Sequence, residues 1–367
     1  MMKKIAFILY SIFGMLLFTL AGCLDEIELE TPAANQESLV IQGKLIVGDP
    51  AHVEVKVSKL FTFTADGKQP VNARKVVLID EDQREIELED RGLGNYSIDI
   101  PANYPSFSID LEKPYYIRVE TFDGRTFESA PEQGLPVPKI AAVNYQLVTR
   151  EVIDLLGKPV DVDFVRYSVD TPLSTDAAGR NIRLGWEYFH TFKVRDTPIS
   201  SNTTPKTCYI TQNLNIAEIR VVDASVLTAD TLRDYEIYET NFMRVFGEGL
   251  YFTTVQESLT ETAYEFFTQV AENTGRTGSM FEAPPGKVVS NIRNINDEND
   301  EAFGFFYVTE QDTLRTYVDT LLIGDPSHFC PPPGGLTRED GSCREPICCN
   351  CLSVPQSTIF KPGYWTH

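Results

Sequence analysis

The chain is poor in what soluble enzymes commonly use for chemistry. Histidine occurs only four times in 367 residues, at His52, His190, His328 and His367, so no His-rich metal centre is expected. No G-x-S-x-G, H-E-x-x-H or P-loop pattern is present, and the usual hydrolase chemistries lack their parts. Positive charge is scarce as well. The 32 Lys+Arg stand against 53 Asp+Glu, a net charge of −21. A phosphate backbone would be repelled rather than neutralised, so no nucleic-acid partner is expected. Gly 23 and Pro 22 are ordinary counts that rule out a collagenous or low-complexity chain. No repeat of 20 to 50 residues stands out, which argues against a propeller or solenoid. What remains is a globular composition, 42% hydrophobic, of a length that suggests about two domains.

The N-terminus carries an address. Lys3 and Lys4 precede an apolar run from Ile5 to Leu20, closed by Leu20-Ala21-Gly22-Cys23. The run falls short of the roughly 20 residues that cross a bilayer and reads as a signal peptide over residues 1–22. Leu-Ala-Gly-Cys resembles a bacterial lipobox, which implies lipidation of Cys23 with diacylglycerol and palmitate-like chains. The competing reading is a plain signal peptide whose first mature cysteine joins a disulfide. Several acyl chains exceed what stable anchoring needs, so the mature protein is expected to sit on a membrane without crossing it. Residues 23–37, with Asp25, Glu26, Glu28 and Glu30, read as an acidic tether. Such acids after the lipidated cysteine resemble the surface-export signal of Bacteroidota lipoproteins. The expected location is the bacterial outer membrane, with surface exposure slightly favoured over a periplasmic facing.

Setting Cys23 aside leaves Cys208, Cys330, Cys343, Cys348, Cys349 and Cys351, an even number in an exported chain, and three disulfides are expected. The spacing does not choose among 15 pairings. Five of the six fall between Cys330 and Cys351, so Cys208 must bond to that cluster if all pair. Zinc is the alternative, through Cys348, Cys349 and Cys351 with His328 or Cys343, but the ligand spacing is unlike that of a knuckle and the compartment disfavours free thiolates. No metal and no cofactor are expected.

From Ser38 the pattern turns to strands. Leu39–Ile46 and Val53–Val57 flank a Gly48-Asp49-Pro50 turn, further runs follow, and Asp123-Gly124 suits a hairpin. Residues 38–130 are therefore expected to form an immunoglobulin-like or transthyretin-like β-sandwich. Pro131, Pro136 and Pro138 mark a linker over 131–139. A second β-rich domain is expected over 140–367, with a cysteine-rich tail at 328–367. Ser258-Leu259-Thr260-Glu261 fits a capping box, and Leu259, Ala263, Phe266, Phe267 and Val270 recur at helical spacing, which predicts one amphipathic helix near 258–273. Its two Phe residues read as core rather than ligand platform.

Four other patterns invite chemistry and have plainer readings. The carboxylates at Asp80-Glu81-Asp82 and Glu87 to Asp90 read as solvated turns and strand faces rather than acid/base pairs. Asn294 to Glu301 offers oxygens at alternate positions as calcium loops do, but lacks the turn glycine and terminal bidentate Glu of such a loop. Asp-Thr-Leu, at Asp230, Asp312 and Asp319, resembles a Bacteroidota O-glycosylation acceptor. Trp186, Tyr188, Phe189 and His190 share one strand; the rings read as core, and His190 as an exposed or satisfied strand residue.

Several longer stretches resemble the Bacteroidota lipoprotein family known as domain of unknown function 4249. They are Glu257 to Phe267, Gly278 to Gly286, Ser290-Asn291-Ile292, Phe303 to Phe306 and the closing Lys361-Pro362-Gly363-Tyr364-Trp365. The resemblance implies an outer-membrane lipoprotein often encoded near TonB-dependent receptors, and hence an accessory binding or docking subunit whose partner is such a barrel. It supplies no catalytic residues, so none are expected, and it names no ligand. A cell-surface structural or adhesive module is the alternative, and an enzyme with an unfamiliar site stands third.

Overall fold

The computed structural model describes residues 38–59, 69–173, 182–198, 203–214, 219–274, 288–323, 329–330, 338 and 341–367. They are mainly β. Alternating apolar residues build the first two strands: β1 (Leu39–Val47) turns Leu39, Ile41 and Leu45 inward, and β2 (Ala51–Lys59) turns Ala51, Val53, Val55 and Val57 inward. Then come β3 (Gln69–Pro70), β4 (Ala73–Asp80), β5 (Glu85–Glu87), β6 (Glu89–Gly92), β7 (Asn95–Ile100), β8 (Pro114–Thr121), β9 (Thr126–Ser129) and β10 (Glu132–Gln133). The second half holds β11 (Ala142–Ile153), β12 (Pro159–Pro172), β13 (Arg183–Arg195), β14 (Thr207–Asn213), β15 (Val221–Asp223), β16 (Thr231–Asn241) and β17 (Leu250–Ser258). After helix α1 (Glu261–Thr274) follow β18 (Ile292–Asn294), β19 (Phe303–Val318) and β20 (Ser357–Thr358).

A long sheet in the order β20-β14-β13-β17-β19-β1-β2-β7-β6 forms the spine. A second sheet, β18-β9-β8-β4-β5, shares a core with the β1-β2-β7 end of the spine, through Ile41, Val53, Leu78, Ile117 and Phe127. A third, β11-β12-β16, shares a second core with β13 and β17, through Tyr167, Ile237, Tyr188 and Phe252.

Strand β19 belongs to both. It pairs in parallel with β1 from Val40↔Phe303 to Val47↔Glu310, and antiparallel with β17 from Glu257↔Gln311 to Leu250↔Val318. Its Phe306 and Val308 lie in the first core and its Val318 in the second. Residues 292–308 thus return to the core that the sequence assigns to residues 38–130. The parallel pairing depends on Gly304, whose φ is +108° and where a Cβ would stand 2.0 Å from the Ile41 carbonyl oxygen.

The segment 131–139 is extended, as its prolines dictate, but it is stitched to the spine rather than free. Pro138 accepts a hydrogen bond from Gln256 Nε2 at 2.7 Å, Leu135 accepts one from the Ser258 hydroxyl, and the Val137 amide donates to Glu310 at 2.8 Å. Helix α1 begins two residues later than the capping box suggests. Ser258 ends β17, and the cap is Thr260, whose hydroxyl accepts from the Ala263 amide at 3.2 Å. The helix lays Ala263, Phe266 and Phe267 on the spine against Phe305 and Tyr307.

Candidate functional site

Helix α1 covers only part of the spine face on which it lies. Beside it opens a cleft of about 480 Å³, walled by Phe266, Phe267 and Phe305 on one side and by polar residues of β1, β2 and β7 on the other. Its floor follows from strand alternation. Lys44 on β1 stands opposite Tyr307 on β19 and Glu54 on β2, so all three share one face. Glu257 reaches the same face from β17 and Glu187 from β13.

These groups are joined by hydrogen bonds. Lys44 Nζ donates to Glu257 Oε1 at 2.9 Å and to Glu187 Oε1 at 2.8 Å, with Glu54 Oε1 at 3.7 Å. The Tyr307 hydroxyl donates to Glu257 Oε2 at 3.0 Å, and the Gln311 side-chain amide also donates to Glu257. Burial acts to strip Lys44 of its charge, but Tyr307, Glu257, Glu187 and Glu54 outweigh it and hold the ammonium well above its ordinary pKa. Burial, with Glu257 beside it, raises the Tyr307 hydroxyl far above the usual tyrosine range. Burial and the charge of Glu257 raise Glu187 against the pull of Lys44. Lys44 is therefore a locked cation with two close carboxylate partners, unfit to act as a base or nucleophile. Glu187, with a third of its side chain exposed, is the carboxylate of the pair that the cleft can reach.

The sequence singled out Phe266, Phe267 and the stretch that begins at Glu257, but not Lys44, Glu187 or Tyr307. Alternation along Val40-Gln42-Lys44-Ile46 does place Lys44 on the face away from the first core; nothing local says that a distant helix and three other strands crowd that face.

The six cysteines pair as Cys208–Cys351, Cys330–Cys348 and Cys343–Cys349. Cys208, on β14, therefore ties the tail to the spine. The closing residues dock at the other end of the α1 face. Trp365 packs edge-on to Tyr251 at 5.1 Å and to Tyr209 at 5.1 Å, and His367 stacks on Tyr317 at 3.9 Å.

The remaining candidates fall apart spatially. Asp80 is a turn organiser: its carboxylate accepts from the amides of Asp82 and Arg84 and from Arg84 Nε at 2.7 Å. In the 294–301 loop, Asn294 Oδ1 accepts from the Asn296 amide and Asp300 is engaged by Asn294 Nδ2 at 2.7 Å, with Arg125 at 3.5 Å. Among the described residues no group of three or more His, Cys, Asp or Glu could hold a metal ion. Trp186, Tyr188 and His190 all face the second core, with Trp186 Nε1 donating to Gln256 at 3.0 Å. His190 departs from expectation. It is buried among Tyr167, Tyr238, Phe246 and Phe252, and its Nε2 has no hydrogen-bond partner. Of the Asp-Thr-Leu threonines, Thr313 is exposed on β19, while Thr231 and Thr320 are half-buried. Cys23, its tether, His328 and the stretch 278–286 lie outside the described residues.

No curated protein matches the chain. A family model does, over residues 24–315, a span that includes Lys44, Glu187, Glu257, Tyr307 and Gln311 and stops before the cysteine-rich tail. With well over half of its length matched, the chain belongs to the family described as Domain of unknown function (DUF4249).

Proposed function

We propose that this protein is a lipid-anchored subunit of the bacterial outer membrane that binds or docks beside a TonB-dependent transporter, and that it is not an enzyme. One observation carries the reading: the Leu20-Ala21-Gly22-Cys23 ending of the signal peptide, followed by an acidic stretch and a sheet-built body from Ser38. Acylation of Cys23 would confine that body to the membrane plane and raise its effective concentration near a barrel. The cleft supports binding over catalysis, because its buried ammonium is neutralised by carboxylates at 2.8 and 2.9 Å instead of being left to react. No helix among the described residues is long and apolar enough to cross a membrane.

Mass spectrometry of the mature N-terminus tests the anchor: a diacylglyceryl-modified Cys23 is expected, and an unmodified thiol or a disulfide there refutes it. A pull-down from detergent-solubilised outer membrane tests the role. A barrel should co-purify, and repeated recovery of the protein alone refutes docking.

A further inference from the structure

Strands β11 and β12 pair without a bulge over twelve positions, from Ala142↔Asp170 to Ile153↔Pro159. The third strand of that sheet, β16, reaches only to Phe164, so the pairs beyond it project as a two-stranded ribbon. Turn tips are ordinarily polar. This one reads Asp154-Leu155-Leu156-Gly157; Leu155 is fully exposed, Leu156 is 80% exposed and the adjoining Ile153 67% exposed.

The tip is held in shape from within. Asp154 Oδ1 accepts from the Leu156 amide at 2.8 Å and the Lys158 amide at 2.9 Å, the Asp154 amide donates to the Lys158 carbonyl at 2.8 Å, and Gly157 supplies the positive φ of 75°. Two leucines are thus displayed on a pre-ordered turn, so burying them costs little further ordering. Moving two exposed leucine side chains from water into an apolar pocket is favourable in proportion to the apolar area they bury.

We infer that the Leu155–Leu156 tip is a docking element that inserts into an apolar pocket with a basic rim on a partner protein. Charge selects the rim. Glu151, Asp154, Asp161 and Asp163 flank the leucines against Lys158 alone, because Arg150 is engaged by Glu239 at 2.6 Å. An anionic lipid surface would repel such flanks. Position argues the same way. Ser38, where the tether joins, lies at the Phe303 end of β19, and Tyr145 of β11 bonds to the Asp319 amide just past the other end. Those ends are separated by 16 residues of strand, about 50 Å. Strand β11 then runs on from Tyr145 to Ile153. The tip is thus carried past the end of β19 that is remote from Ser38.

The proposal rests on the docking role above, and the two fail separately. The test uses the full-length protein in its native membrane, with the photo-crosslinker p-benzoylphenylalanine at position 155 and, in parallel, the variant L155S/L156S. Adducts are expected on one protein, at a concave apolar site bordered by Lys or Arg. The variant should keep the wild-type melting temperature, since the tip packs on nothing, and should lose at least tenfold in recovery of that partner. A barrel recovered equally by wild type and variant overturns the tip and leaves the docking role standing. Adducts to lipid, to a second copy of this chain, or to no single protein also overturn it. So does flotation with phosphatidylethanolamine–phosphatidylglycerol vesicles that depends on the two leucines.

Discussion

At the scale of single residues, two buried groups can be read as opposites. Lys44 is charged and paired. Its partner Glu257 has only 5% of its side chain exposed, so removing the ammonium strands a carboxylate inside the protein. Lys44→Met should cost about 3 to 5 kcal/mol in urea denaturation. The double variant Lys44→Met/Glu257→Gln should recover most of it; a single-variant loss below about 1 kcal/mol would show that water reaches the cluster. The folded pKa of Lys44 is raised, so its contribution is complete below the unfolded value and fades only as pH climbs through the folded one. His190 is neutral and unpaired, its pKa pulled down to about 3 by burial alone, with Tyr167 and Tyr238 the titratable groups against it. Between about 6.5 and 3 the unfolded chain holds the extra proton, so stability falls as pH falls, by up to about 1.4 kcal/mol per pH unit. His190→Phe should flatten that slope between pH 6.5 and 5 in melting curves; an unchanged slope would mean that the imidazole is not the titrating group. Neither role was legible locally. Alternation gave the correct face for both, but burial of the Lys44 face and the ring cage around His190 are made by strands and a helix distant in the chain.

At the scale of elements, the apolar runs and turn residues of residues 38–130 are sufficient to place most strands there, because a half-buried strand must alternate. The helix is legible from its apolar stripe, but its start is not. Ser258 satisfies the capping pattern and yet is claimed by β17 and by the Leu135 carbonyl, leaving Thr260 to cap. Thr260 also donates to Glu132 Oε2 at 2.8 Å, and Thr262 donates to the other oxygen at 2.8 Å, which ties the helix start to the 131–139 segment. Burial raises the Glu132 pKa, while those two hydroxyls act to lower it. Thr260→Ala should therefore cost about 1 to 2 kcal/mol in denaturant, whereas Ser258→Ala should leave the helix cap intact. Parity alone indicated that Cys208 bonds to the tail cluster if all six cysteines pair; Cys351 as its partner comes from geometry.

At the scale of the whole molecule, the feature hidden from sequence is β19. Periodicity marks Phe303–Val308 as a strand but cannot say that it lies parallel to β1, because no local signal encodes a partner so far away in the chain. The consequence is testable. A fragment of residues 38–130 lacks Ile292, Phe306 and Val308 from its core and the parallel neighbour of β1, so it should show no cooperative melting transition by circular dichroism. In the intact protein, hydrogen exchange at core amides of β2 and of β13 should report one common opening free energy; well-separated values would divide the molecule at the 131–139 segment.

The same strand sets a schedule. Synthesis delivers Val40 about 260 residues ahead of Phe303, so the edge of β1 must wait, unpaired and apolar on its inner face, while the chain that completes it is still arriving. A newly made molecule therefore passes through a stage with an open seam, when misjoining to a sister molecule competes with self-completion.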